Sequence, residues 1–202
     1  QLTMRTFHIG GAASKEVTQS FLELKTTGTI KYSDALLTVK DRHGRTVVTS
    51  RNGELKVVDD KGREREKYGI PYGAYLLVDD GVRAAAKTRV AQWDGFNTPH
   101  LANDAGVVVF EDFENVVKET TDALTGRRSR EVENFADSDK RPRIVVKEPG
   151  AKGKQKLRVF LTPGTKVEVE EGADVQLGDV LAKIPRETMK TKDITGGLPR
   201  VA

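Results

Sequence analysis

The chain has 202 residues, of which 37% are hydrophobic and 32% charged, and it contains no cysteine. That length fits one or two domains. No run approaches the roughly 20 apolar residues of a membrane span, there is no secretory signal, and disulfide and thiolate chemistry are excluded, which fits the cytoplasm. The formal net charge of +4 comes from 34 basic and 30 acidic residues, so local clustering of charge matters more than the balance.

Residues 1–11 read QLTMRTFHIGG. Spacings of three and four place Gln1, Met4, Arg5 and His8 on one helix face, with Leu2, Thr6 and Ile9 on another. Gly10 and Gly11 then stop the helix. An amide, a thioether, a permanent cation and an imidazole on one face are not what a packed core requires. A planar, phosphorylated ligand would use all four. A helix of about nine residues is marginal in water, because isolated helices need roughly 12–15 residues. It is therefore expected to order only against a ligand or a partner. The chain begins at Gln1 rather than Met, and the expectation is a piece of something longer.

Residues 15–24 are mixed and lead into a first strand. From Gly28 onward the pattern is β structure cut by turns at Asp41-Arg42-His43-Gly44, Arg51-Asn52-Gly53 and Asp59-Asp60-Lys61-Gly62, all expected as hairpin turns. Short β-rich runs at residues 46–49 and 55–58 lie between them. Strands this short at regular spacing predict small barrels or sandwiches.

An internal repeat follows. IPYGAYLLVDDGVRAAAKTRVAQWD begins at Ile70 and LTPGTKVEVEEGADVQLGDVLAKIP at Leu161, and they align without a gap at an offset of 91 residues, Gly73 onto Gly164. Gly81/Gly172, Val78/Val169, Ala91/Ala182 and Trp93/Ile184 match in kind, and each copy is preceded by a hairpin, at residues 57–62 and 145–153. In Lys166-Val167-Glu168-Val169-Glu170 apolar residues alternate with charges, which gives one packed and one wet face. Lys87 stands where the second copy has Gly178, so that turn is expected to differ. The fold class is mainly β, with two tandem units, residues 15–115 and 116–187, between terminal segments 1–14 and 188–202.

Residues 122–140 are charged and read as a hairpin with its tip near Gly126, followed by a loop. Basic residues thicken at Arg127, Arg128 and Arg130, at Lys140, Arg141 and Arg143, and at Lys152, Lys154, Lys156 and Arg158. Solvated hairpins and a loop account for them; a surface for nucleic-acid phosphates or for an acidic partner is the sharper reading. His43 and His100 are expected on the surface, Trp93 in a core. With no cysteine and three scattered histidines, no metal site is expected.

The opening QLTMRTFHIGG and the closing TKDITGGLPRVA together resemble the trigger loop of bacterial RNA polymerase β′ subunits. The middle of the chain resembles the insertion that some lineages carry inside that loop, built from two sandwich-barrel hybrid motif domains, which agrees with the repeat. The resemblance implies short helical trigger-loop segments on either side of two small β-barrel domains. It implies that Arg5 and His8 reach the triphosphate of an incoming nucleoside triphosphate, that Met4 packs on its base and that Gln1 lies near its ribose. His8 would be a general acid or an electrostatic stabiliser, and Gly10, Gly11, Gly196 and Gly197 would be hinges. The implied partners are the β, α, ω and sigma subunits, template DNA and transcript RNA, with no membrane. No cofactor is implied for this stretch, since the Mg²⁺ of such polymerases is bound elsewhere by an Asp cluster absent here.

Two competing readings remain. A free-standing interaction module would need only the β units. A biotinyl or lipoyl carrier is suggested by the Gly178-Asp179-Val180-Leu181 turn and Met189-Lys190, but Lys190 lies past Pro185, too far from the turn for the biotinyl spacing.

Overall fold

The computed structural model of the chain describes residues 20–186. The expected terminal helical segments, with Gln1, Met4, Arg5, His8, Gly10, Gly11, Lys190, Gly196 and Gly197, lie outside the described residues. The mainly β class holds: every regular element among the described residues is a strand, and all pairings are antiparallel.

In the N-terminal half the strands are β1 Phe21–Glu23, β2 Gly28–Tyr32, β3 Thr38–Lys40, β4 Thr46–Val48, β5 Glu54–Val58, β6 Glu64–Gly69, β7 Tyr75–Leu76, β8 Arg83–Ala84 and β9 Arg89–Gln92. In the C-terminal half they are β10 Asn97–Leu101, β11 Gly106–Glu111, β12 Val117–Thr121, β13 Arg128–Val132, β14 Arg143–Lys147, β15 Gln155–Phe160, β16 Lys166–Val167, β17 Asp174–Val175 and β18 Val180–Pro185. The sheets run β1-β9-β7-β4-β3 and β6-β5-β2-β8 in the first half, β10-β18-β16-β13-β12 and β15-β14-β11-β17 in the second. Adding nine to each label of the first half reproduces the second, so the repeat covers all nine strands rather than only its last third. The sheets are open; none closes on itself as a barrel.

Each half has one core shared by its two sheets. Ile30, Leu55 and Val57 from one sheet meet Val48, Leu76 and Val90 from the other. Val108, Ile144 and Val146 meet Val132, Leu181 and Ala182 in the same way. Period-two patterning drives this: in Glu54-Leu55-Lys56-Val57-Val58 only Leu55 and Val57 are fully buried. Trp93 is half-buried and packs on the first core, as expected.

The repeat is kept at the level of single hydrogen bonds. Gly73 N–H donates to Val48 O and Gly164 N–H to Val132 O, each at 2.8 Å; Gly81 N–H donates to Ile30 O and Gly172 N–H to Val108 O, also at 2.8 Å. Gly28 and Gly106 occupy equivalent places where a strand passes close beneath its neighbour. A Cβ at Gly28 would lie 2.6 Å from Val58 O, and one at Gly106 would lie 2.3 Å from Lys147 O.

Three expectations need correction. The Lys87 turn does not differ from its partner. Lys87 takes φ 67° where Gly178 has 86°. Lys87 N–H donates to Leu24 O at 2.7 Å and Gly178 N–H to Ala102 O at 2.9 Å, so the two turns have one shape. Arg51-Asn52-Gly53 is not a hairpin turn, because it joins β4 to β5, which belong to different sheets. Gly53 is required there for space: a Cβ would sit 2.4 Å from Leu36 Cδ1. Finally, the pairing changes over between Gln92 and Asn97, not between residues 115 and 116. β10 and β11 pair with β18, β14 and β17 of the second half. The turn signals near residue 115 are real, with Asp112 at φ 57° and Asn115 at φ 62°, but they carry the chain between the two sheets of one unit.

Candidate functional site

The described residues begin and end on the same short connector. Trp93 N–H donates to Ser20 O at 2.8 Å, which fixes the entry. At the exit, Arg186 N–H donates to Phe96 O at 3.1 Å and Arg186 Nη2 to Asp94 O at 3.4 Å. Asp94 holds the connector in shape: its Oδ1 accepts from the N–H of Phe96 at 2.8 Å and of Asn97 at 3.1 Å, and its Oδ2 from Asn97 Nδ2 at 3.0 Å. Burial pushes the Asp94 carboxyl up, but the Asn97 amide, these N–H groups and the charge of Lys183 outweigh it and hold the pKa below the usual carboxylate range. Three peptide links separate residues 93 and 96, at most about 11 Å of chain. Entry and exit are therefore neighbours, and 167 residues lie between two nearby points. A cleft of about 210 Å³ opens beside the entry, lined by Ser20, Phe21, Tyr75, Arg89, Gln92 and Trp93. The Arg89 guanidinium caps the Phe21 ring at 4.0 Å.

The two halves meet at a second constellation. Arg42, in the β3–β4 turn, forks onto Asp179 of the second half, with Nη2 to Oδ2 at 2.5 Å and Nε to Oδ1 at 3.3 Å, and donates to Asp174 O at 2.9 Å. Asp41 builds the turn that presents it: Asp41 Oδ1 accepts from the N–H groups of His43 and Arg45, both at 2.9 Å, and Oδ2 pairs with Arg45 Nε at 2.8 Å. Burial raises the Asp41 pKa, and the bonds from Arg45 and His43 more than offset it, so the net shift is downward. Gly178 lies against Val39 across this seam, and Gly73 against Pro99. Tyr72 Oη accepts from Leu101 N–H at 3.0 Å.

The basic runs divide. Arg130 is taken up by Glu119 at 3.1 Å and Glu170 at 2.8 Å, and Arg143 by Glu111 at 2.5 Å and Asp112 at 3.2 Å. Arg127 and Arg128 stand exposed on the β12–β13 hairpin, Arg128 with its Nε 3.7 Å from Glu119 Oε1. His43 is exposed in its turn, as expected. His100 is not a surface residue: it is half-buried on β10, and burial followed by the charge of Arg51 holds its pKa below the ordinary imidazole value. Among the described residues no three His, Cys, Asp or Glu side chains converge as a metal would require, so they do not fit Mg²⁺. Gln1, Met4, Arg5, His8 and the four hinge glycines lie outside the described residues, so their mutual placement is not part of this geometry.

Sequence reasoning missed both the seam and the connector. Arg42 and Asp179 are 137 residues apart, and no local pattern links them. The family model for RNA polymerase Rpb1, domain 5, matches residues 1–198. The DNA-directed RNA polymerase subunit beta' of Syntrophobacter fumaroxidans (strain DSM 10017 / MPOB) is 45% identical over the whole of this chain, which spans 15% of that subunit. The chain belongs to the RNA polymerase β′ family, within the region described as Rpb1 domain 5.

Proposed function

We propose that this chain is the trigger-loop segment of a β′ subunit, interrupted by a folded insertion, and that it serves nucleotidyl transfer in DNA-templated RNA synthesis. The observation that supports it is the shared anchorage of Ser20 and Arg186 on residues 93–96. A body whose ends are neighbours can interrupt a loop without prying it apart. The flanking QLTMRTFHIGG and TKDITGGLPRVA are the two arms that such a loop requires. Folded over a correctly paired nucleoside triphosphate, the first arm sets Met4 on the base, Gln1 near the ribose, and Arg5 and His8 on the triphosphate. Arg5 and a protonated His8 stabilise the charge that develops on the leaving pyrophosphate, and His8 is placed to supply its proton. Gly10, Gly11, Gly196 and Gly197 let the arms fold and unfold. The Mg²⁺ belongs to another part of the assembled enzyme, as do the β, α, ω and sigma subunits, the DNA and the RNA. The isolated chain makes no RNA, and the assembly works in the cytoplasm.

The inserted β units modulate arm movement, and with it elongation and pausing, through contacts with the rest of the assembly. In the whole polymerase, His8→Ala and Arg5→Ala are expected to slow single-turnover addition of the correct nucleotide, by about 10²-fold or more for a positioned acid. Replacing residues 20–186 by a short linker is expected to preserve that addition while changing pause lifetimes. Unchanged single-turnover rates in both point variants would refute the trigger-loop assignment.

A further inference from the structure

The two halves are joined in a directional way, and that direction exposes an unused end. In the first half the β3–β4 hairpin reaches forward and plants Arg42 on the tight turn between Asp174 and Asp179 in the second half. The matching hairpin of the second half, β12–β13, meets no further unit among the described residues. It is also the longer of the two, with five residue pairs against three. The two extra pairs carry its tip about 7 Å further out. An aspartate organises both turns, but the second is one residue longer: Asp122 Oδ1 accepts from the N–H groups of Leu124 at 2.8 Å and Thr125 at 3.0 Å, and Asp41 Oδ1 from those of His43 and Arg45 at 2.9 Å. At the tip Leu124 is 97% exposed, beside the exposed Arg127 and Arg128. Nearer the base Arg130 is paired with Glu119 and Glu170, and Arg128 has a looser, exposed contact with Glu119 at 3.7 Å.

A second copy of this chain is a poor receiver for that tip. The acceptor turn of the first half has Arg83 in the place of Asp174, Lys87 in the place of Gly178 and Thr88 in the place of Asp179. The carboxylate that grips Arg42 is gone and two cations stand there instead. Head-to-tail growth is thus blocked by charge, and an open-ended filament is avoided. Nucleic acid fits less well than protein, since a fully exposed leucine offers nothing to a phosphate backbone.

We propose that the β12–β13 hairpin is a docking prong, and that its receiver is an acidic protein surface within the assembled polymerase. That surface carries an apolar dimple for Leu124 ringed by carboxylates for Arg127 and Arg128. Ala123 stands where the first hairpin has Arg42, so the prong makes its contact through Leu124 and the two arginines after Gly126. This rests on membership in the β′ family and not on the trigger-loop assignment, so either can fail alone.

The test places the photo-cross-linker p-benzoylphenylalanine at position 124 of the chain within the whole polymerase bound to a DNA–RNA scaffold. The expected product is a cross-link to a protein segment bearing at least two carboxylates, mapped by mass spectrometry. Its yield should fall several-fold in Arg127→Glu and Arg128→Glu variants and on raising salt from about 0.05 to 0.5 M. Both substitutions are on an exposed hairpin, and unchanged thermal unfolding of the variant chains confirms that the fold is intact. Cross-links to DNA or RNA, to a second copy of the chain, to a segment without carboxylates, or to nothing would each overturn the proposal. So would a yield indifferent to charge reversal.

Discussion

Gly178 and Lys87 occupy the same place in the two halves, and together they isolate what the glycine is for. Both backbones are left-handed, at φ 86° and 67°. A lysine therefore tolerates this turn, and the turn alone does not demand glycine. The demand comes from the seam. A Cβ on Gly178 would lie 2.9 Å from Val39 Cγ2, with Asp41 Cβ and Val47 Cβ at 3.9 Å. Valine is stiff about χ1 and has little freedom to swing aside. Gly172 supplies the control, because it has φ 82° and nothing within 4 Å of its built Cβ. Gly172→Ala should cost only the left-handed penalty, about 1–2 kcal/mol. Gly178→Ala should cost that plus overpacking, a further 1–3 kcal/mol or so. Adding Val39→Ala should relieve the second part and leave the first. In urea unfolding of the 202-residue chain, followed by circular dichroism, the double-mutant cycle for positions 39 and 178 should then show coupling of about 1 kcal/mol or more. Additivity within about 0.3–0.5 kcal/mol would refute the seam as the reason for the glycine.

The other expectations test the same frame. Gly28→Ala and Gly106→Ala each force a Cβ onto a backbone carbonyl, at 2.6 and 2.3 Å, and should destabilise by about 3 kcal/mol or more in the same unfolding assay; a loss under about 1 kcal/mol in either would show that the sheets can separate there. Asp41 titrates below its ordinary value in the folded chain, so its contribution is complete above about pH 4 and is lost as pH falls through the depressed folded value. Asp41→Asn should cost about 1–3 kcal/mol at pH 7 and nearly nothing in acid, and a penalty that did not change with pH would count against the charged Asp41 turn. Arg42→Ala should free the turn from Asp174 to Asp179, seen as several-fold faster hydrogen exchange at the Gln176 and Asp179 amides; unaltered exchange would mean that Arg42 does not hold the halves together.

Local chemistry made part of this legible before any coordinates. Asp41-Arg42-His43-Gly44 and Asp59-Asp60-Lys61-Gly62 are hairpin turns because in each an aspartate accepts two N–H bonds and a glycine takes positive φ, and both features are written in adjacent residues. Arg51-Asn52-Gly53 has the same composition but owes its glycine to Leu36, which is distant in sequence. The repeat was visible only where spacing is constant. Upstream of Gly164 the longer β14–β15 hairpin, the longer link from β13 to β14 and the longer β12–β13 hairpin break the register in turn, which hides the kinship of β10 and β11 with β1 and β2. The pair Gly28-Thr29-Ile30 and Gly106-Val107-Val108 was the available signal, each a glycine slipped under a neighbouring strand ahead of a core residue. The first arm lies outside the described residues; the connector and the seam are not legible in the sequence, because each is assembled from residues far apart in the chain.

The connector bears on the energetics of any loop that carries this insertion. A flexible stretch as long as residues 20–186 would add about 4–5 kcal/mol of closure entropy, from (3/2)RT ln n. With Ser20 and Arg186 fixed on residues 93–96, the same stretch behaves as a link of only a few residues, for which the cost is about 1 kcal/mol. Folding of the insertion thus removes roughly 3 kcal/mol from the cost of bringing the two arms together, a factor of more than 100 in the closed population. In the proposed trigger loop that saving would depend on the connector, and so on Asp94 and Arg186. It also explains how modulation can be separated from closure. On the proposed trigger-loop reading, the β units would leave the loop free to shut by default and would bias it only when their outward surfaces, the β12–β13 prong among them, are held by something else.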